Sequence, residues 1–379
     1  MESWSIAVAH RQAPLAAIDL DAFDANAADL VRRAAGVPIR VASKSVRCRA
    51  MIERALALPG FSGVMAYHLR EALWLVERGI DDVYVAYPSV DRDAIGALIG
   101  HEQAKDRVTL TIDSAEHVDF LTALGAQGVR VALDVDASLR VGPVHIGARR
   151  SPLRTAGEAR DLARKAIAAG LVVVGVMFYD AQIAGVPDSS PAIRVMKARS
   201  DASLRARRGE IVARVRDVAD LEFVNGGGTG SLHITGEDPA ITELAAGSGL
   251  YAPTLFDGYD SFDPRPAAAF ALPVVRRPAP GYVTVFEGGY IASGPPGWDR
   301  VPTPVWPPGL ELVKTEGAGE VQTPLRGDAA DGLGVGDVVW FRHGKAGELA
   351  ERFEAFHLIR AGEEVETVPT YRGEGVNFG

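Results

Sequence analysis

Between residue 17 and about residue 250, short β-branched runs alternate with alanine-rich amphipathic stretches. The runs at 16–20, 39–43, 63–66, 83–86, 108–112, 129–134, 172–177 and 221–224 are nearly continuous in apolar residues. The stretches at 23–35, 70–78, 115–124 and 158–169 carry theirs at helical spacing. Continuous apolar strands, each followed by a helix, are buried on both faces and therefore parallel. Eight such runs predict an α/β fold, a (β/α)8 TIM-like barrel, rather than an open doubly wound sheet.

Beyond residue 250 the helical period fades. Prolines gather between Pro264 and Pro308, and short β-type runs appear at 282–286, 310–313, 338–341 and 356–359. This predicts a mainly β C-terminal domain on the order of a hundred residues, with the barrel at 1–262 and the β domain at 263–379. The basic stretch at 195–215 (Lys197, Arg199, Arg205, Arg207, Arg208) is interleaved with alanine and reads as a solvated helix face.

Composition narrows the function classes. Hydrophobic residues at 47% and charged residues at 23% are ordinary for a soluble globular protein. A net charge of −9 with scattered basic residues argues against a nucleic-acid partner. No apolar run approaches membrane-spanning length, and Met1-Glu2-Ser3-Trp4 does not begin a signal peptide, so a cytoplasmic protein without a membrane partner is expected. A single cysteine, Cys48, excludes an intramolecular disulfide framework and a multi-thiolate metal site.

Two segments carry candidate chemistry. Lys44 lies just past the apolar run ending in Val41-Ala42-Ser43, at a strand's carboxyl end. Burial there is expected to lower its pKa and free the amine as a Schiff-base nucleophile. Asn225-Gly226-Gly227-Gly228-Thr229-Gly230-Ser231 follows the last of the eight apolar runs, and glycines let backbone N–H groups converge on an anion. In a β/α barrel the loops after the last two strands are the usual phosphate site, and Gly247-Ser248 would complete the cradle. An amine and a phosphate cradle at one barrel mouth suit pyridoxal phosphate.

The segments Ala17-Ile18-Asp19-Leu20-Asp21-Ala22-Phe23, Arg40-Val41-Ala42-Ser43-Lys44, Gly226-Gly227-Gly228-Thr229-Gly230 and Gly247-Ser248 resemble the alanine-racemase-fold enzymes, nearest the D-threonine aldolase and D-serine dehydratase branch. The resemblance covers essentially the full chain. It implies that Lys44 carries pyridoxal phosphate and that Gly227, Gly228, Thr229 and Gly230, with Gly247 and Ser248, hold its phosphate. It also implies that Arg140 lies beside the cofactor's phenolic oxygen, that Tyr179 is the nearby aromatic, and that the enzyme is a homodimer in which the C-terminal domain of one chain closes the barrel mouth of the other.

In the metal-dependent relatives, a histidine near the C-terminus is followed two positions later by aspartate or cysteine, and the pair holds a divalent metal. Here His343 is followed by Lys345, whose ammonium cannot coordinate a cation. No metal site is therefore assigned. Lys345 is expected to stand where the metal would; Glu348 with His357 is the alternative metal pair, with a loop salt bridge the favoured role for Glu348. The resemblance implies a pyridoxal-phosphate lyase acting on a β-hydroxy-α-amino acid of D configuration, by retro-aldol cleavage or by dehydration and deamination. A racemase of the same fold is the alternative, needing a tyrosine such as Tyr282 or Tyr290 opposite Lys44. A non-catalytic pyridoxal-phosphate-binding protein is the third reading, and the long C-terminal extension counts against it. Decarboxylases of this fold use a C-terminal cysteine, which is absent here.

Overall fold

The computed structural model describes residues 1–379. The chain packs as two compact units. One comprises Leu30–Lys44, Ala55–Gly247 and Phe378–Gly379; the other comprises Met1–Asp29, Ser45–Arg54 and Ser248–Asn377.

After a first strand β1 (Leu15–Asp19), which belongs to the second unit, the chain supplies β2 (Ile39–Ala42), β3 (Phe61–Ala66), β4 (Val83–Val85), β5 (Val108–Ile112) and β6 (Arg130–Asp134). A hairpin of β7 (Leu139–Val141) and β8 (Val144–Ile146) follows, then β9 (Val172–Phe178), β10 (Phe223–Gly226) and β11 (Glu243–Ala246). Strands β2 to β6 and β9 to β11 close into an eight-stranded barrel in which every neighbouring pair is parallel. Its interior is filled by Tyr84, Ala132, Val174, Met177 and Phe223. Gly175 is required there, because a Cβ would stand 2.3 Å from the Phe223 ring.

A buried polar network also lies in this unit. Arg40 donates to both carboxylate oxygens of Glu243 at 2.8 Å and to Asp82 at 2.8 Å, and Asn225 donates to Glu243 at 2.9 Å. The fork of the guanidinium matches the carboxylate, so no charge is stranded.

The second unit contains β12 (Ala268–Ala279), β13 (Tyr282–Phe286), β14 (Thr303–Trp306), β15 (Glu311–Leu312), β16 (Gln322–Arg326), β17 (Val338–Arg342), β18 (Ala355–Arg360) and β19 (Glu363–Pro369). They form one sheet with β1, which lies antiparallel to β12 and parallel to β18. Trp4 packs edge-on against Trp340 at 5.6 Å, and each indole N–H finds an acceptor, Asp19 and Ser5 respectively.

Several expectations change. The run at 16–20 is not a barrel strand, and the eighth barrel strand is β11, which no apolar run announced. Residues 1–29, expected within the barrel domain, pack in the β unit. The helix Pro191–Arg216 is not simply a solvated basic face. Arg208 is buried on Asp238, Lys197 is buried and bonded to Asp188 at 2.7 Å, and Arg207 donates to the Asp136 carbonyl at 2.6 Å. No helix is long and apolar enough to cross a membrane.

Candidate functional site

All eight barrel strands run the same way, so their carboxyl ends open on one mouth. Lys44 lies two residues past β2, Tyr87 two past β4, and Tyr179 directly after β9. The Lys44 Nζ donates to the Tyr87 hydroxyl at 2.8 Å and sits 5.6 Å and 5.8 Å from the ring centres of Tyr87 and Tyr179. The Arg150 guanidinium covers the same two rings, at 5.6 Å and 5.0 Å.

The electrostatics reverse one expectation. Burial works against the Lys44 ammonium, but the oxygens of Tyr87 and Tyr179 outweigh it, and its pKa is raised above the ordinary value. Burial likewise opposes the Tyr87 phenolate, yet Lys44 and Arg150 pull its pKa down. Both shifts keep the shared proton on nitrogen, so Lys44 stands as an ammonium bonded to the Tyr87 oxygen. Asp134, at the end of β6, is pushed up to about 7 by burial and then by Asp113.

The glycine-rich loop follows β10, the seventh barrel strand, and Gly247 and Ser248 follow β11, the eighth. Both segments therefore reach the same mouth, although the glycine-rich loop follows the seventh strand and not the eighth as expected. The loop is held from below by the fully buried Asp180, which accepts from Ser231 Oγ at 3.2 Å and Thr235 Oγ1 at 2.7 Å. Ser231 Oγ in turn accepts from the Gly228 N–H at 3.1 Å, and Arg33 holds the Thr229 carbonyl at 2.7 Å. Gly227 has φ +76°, and a Cβ on Gly228 would lie 2.8 Å from that of Ala184. Side chains cannot be carried there without moving the loop. A lysine amine at the mouth and a braced, glycine-rich loop after β10 fit pyridoxal phosphate.

Arg140 is not brought to Lys44. It lies on β7, half-exposed, and pairs with Asp136 at 2.8 Å. Arg150, Tyr87 and Asp134 were missed as site residues. Tyr87 repeats the spacing of Lys44 past a strand end, a signal the sequence contains. Arg150 lies beyond the β7–β8 hairpin, so its sequence position gave no cue.

In the β unit His343 is buried and neither ring nitrogen has a hydrogen-bond partner. Burial and then Arg342 lower its pKa to about 3, so the imidazole is neutral. The part-buried Lys345 occupies the second position, and nowhere do three His, Cys, Asp or Glu side chains converge as a metal site would need. His357 pairs with Glu364 at 2.9 Å and Glu348 accepts from the Ser293 N–H at 2.9 Å, so each member of the alternative pair is engaged elsewhere. This donor set does not fit a divalent metal. Tyr282 is exposed, and the Tyr290 hydroxyl donates to Glu287.

The chain is 26% identical over 284 residues to D-threonine aldolase of Arthrobacter sp., covering 73% of this chain and 71% of that one. It is 25% identical over 241 residues to 3-hydroxy-D-aspartate aldolase of Paracoccus denitrificans, covering 62% of this chain and 59% of that one. The crystal structure of D-threonine aldolase from Filomicrobium marinum superposes with a TM-score of 0.80 at 24% identity over 96% of this chain and 95% of that one, a likeness of fold. Residues 18–252 match the family described as alanine racemase, N-terminal domain, and the chain belongs to that family.

Proposed function

We propose that this protein is a pyridoxal-phosphate-dependent lyase acting on a β-hydroxy-α-amino acid of D configuration. The observation that carries the reading is the Lys44 amine, 2.8 Å from a phenol at the barrel mouth that also receives the glycine loop. The two aldolase relatives support the substrate class. Pyridoxal phosphate, when bound, supplies an electron sink for negative charge at Cα.

The chain's own residues divide the remaining work. Lys44 supplies the amine that holds the cofactor, and Tyr87 Oη, bonded to Nζ at 2.8 Å, orients that amine at the mouth. Gly227, Gly228, Thr229 and Gly230, with Gly247 and Ser248, hold the phosphate. Tyr179 and Arg150 wall the cofactor side of the mouth, Arg150 in the place expected of Arg140. Asp134, half-protonated near neutral pH, can hold or release a proton beside them. Retro-aldol cleavage and dehydration begin alike and differ in which proton is removed. The racemase alternative has less support, because the Tyr290 hydroxyl is committed to Glu287.

The test is direct. Borohydride should fix the cofactor on the peptide containing Lys44. The holoenzyme should release glycine plus aldehyde, or a keto acid, from D-β-hydroxy-amino acids, equally with and without EDTA. A Lys44→Ala protein that is still labelled and still turns over substrate would overturn the reading. So would enantiomer as the only product.

A further inference from the structure

One fully buried carboxylate of the barrel unit has no part in the chemistry proposed above. Asp180 follows Tyr179 directly and has no exposed surface. It stands at the N-cap of the short helix Ala181–Ala184, where an aspartate normally caps its own helix, yet its side chain makes no capping bond. The carboxylate turns instead to two buried hydroxyls behind the glycine loop, Ser231 Oγ at 3.2 Å and Thr235 Oγ1 at 2.7 Å. Burial pushes its pKa above the ordinary carboxylate range, against the two hydroxyls and Arg208. Arg208 is itself buried and paired with Asp238, so one guanidinium serves two carboxylates. A carboxylate is costly in such a place.

The hydroxyls connect it to the loop. A serine hydroxyl carries a single hydrogen. Donated to Asp180, that hydrogen leaves the Ser231 lone pairs to accept from the Gly228 N–H at 3.1 Å. The Ser231 N–H closes the same turn on the Gly228 carbonyl at 2.9 Å. Ser231 Oγ also lies 3.5 Å from the point a Cβ of Gly227 would occupy, so it is packed against the loop backbone. The loop is therefore bonded from behind by a hydroxyl whose direction is dictated by an acceptor. An asparagine of the same shape would set an N–H donor against one of the two hydroxyls and break that order.

We propose that Asp180 is a positioning residue for the cofactor's phosphate: acting through Ser231, it holds Gly228 in the conformation that receives the anion. Asp180 itself touches neither substrate nor cofactor. The inference rests on the pyridoxal-phosphate reading above and adds to it a residue that sets affinity for the phosphate alone.

The experiment resolves the holoenzyme with hydroxylamine and titrates it by fluorescence with pyridoxal phosphate and with pyridoxal. It compares the wild type, Asp180→Asn, Ser231→Ala and the double variant. Each single variant should lose at least about tenfold in affinity for pyridoxal phosphate and less than about twofold for pyridoxal. Because Asp180 acts through Ser231, the double variant should bind within about twofold of the weaker single one. Equal losses for the two ligands, additive losses in the double variant, or a loss in Ser231→Ala without one in Asp180→Asn overturn the inference. Should Asp180→Asn fail to fold, Ser231→Ala decides: a loss confined to pyridoxal phosphate supports the inference, and an equal loss or none rejects it. A wild type that binds no pyridoxal phosphate rejects it together with the cofactor reading. Bound cofactor without turnover of any D-β-hydroxy-amino acid rejects the lyase reading alone and leaves the affinities to decide this one.

Discussion

His343 is a buried imidazole with nothing bonded to either nitrogen, and this has a measurable consequence. Its folded pKa of about 3 lies below the value of about 6.5 it takes in an unfolded chain. Above pH 6.5 both states are neutral and no penalty exists. As pH falls below 6.5 the unfolded state takes up a proton that the folded state refuses, so stability is lost down to about pH 3. At pH 5 the loss amounts to about 2 kcal/mol. Urea melts at pH 5 and pH 7.5 should therefore show a fall in the wild type that is about 2 kcal/mol smaller in His343→Gln. Equal falls would mean that the ring is solvated or paired in solution. Single residues of this kind were partly legible from sequence. Lys44 announced itself because an amine at the end of a buried strand is costly. The direction of its pKa shift was not legible, because Tyr87 and Tyr179 come from strands far away in the chain.

At the scale of elements, the barrel was readable because runs such as Val108–Ile112 and Val172–Phe178 are buried on both faces and look it. The error lay in which eight. Leu15–Asp19 has the same buried apolar pattern but pairs in the other sheet, and a pattern of hydrophobicity does not say which sheet receives it. Glu243–Ala246 was hidden because it is short and opens on a glutamate, a residue kept inside by Arg40 and Asn225. The glycine loop nonetheless reaches the right end of the barrel, since either of the last two strands delivers it there. If it holds phosphate, Gly228→Ala, whose Cβ must displace Ala184, should weaken pyridoxal phosphate binding at least about tenfold, a cost of about 1.4 kcal/mol or more. Pyridoxal, which lacks the phosphate, should bind the variant and the wild type alike. Fluorescence titrations with both ligands distinguish the cases: an equal loss for the two would assign the loop a merely structural role.

For the whole molecule the open question is assembly. The β unit leaves Tyr282, Phe286, Ile291, Trp298 and Val321 exposed, with Trp298 at 58% and Val321 at 57%. Phe286 is paired in register with Gln322, the neighbour of Val321, so at least these two belong to one part of the sheet. Phe286 and Val321, exposed and adjoining, make this part of the sheet a candidate surface for a partner. The homodimer expected from the sequence makes a second copy of the chain the cover to test. A net charge of −9 on each chain opposes association at low ionic strength, so salt should strengthen the dimer by screening it. Sedimentation velocity at micromolar concentration should accordingly give a homodimer, and the melting temperature should rise with protein concentration because association stabilises the folded state. Trp298→Glu and Phe286→Glu should shift the population towards monomer and lower activity in parallel. A wild type that sediments as a fully active monomer, with a melting temperature independent of concentration, would reject the dimer and leave these side chains without a partner to explain them.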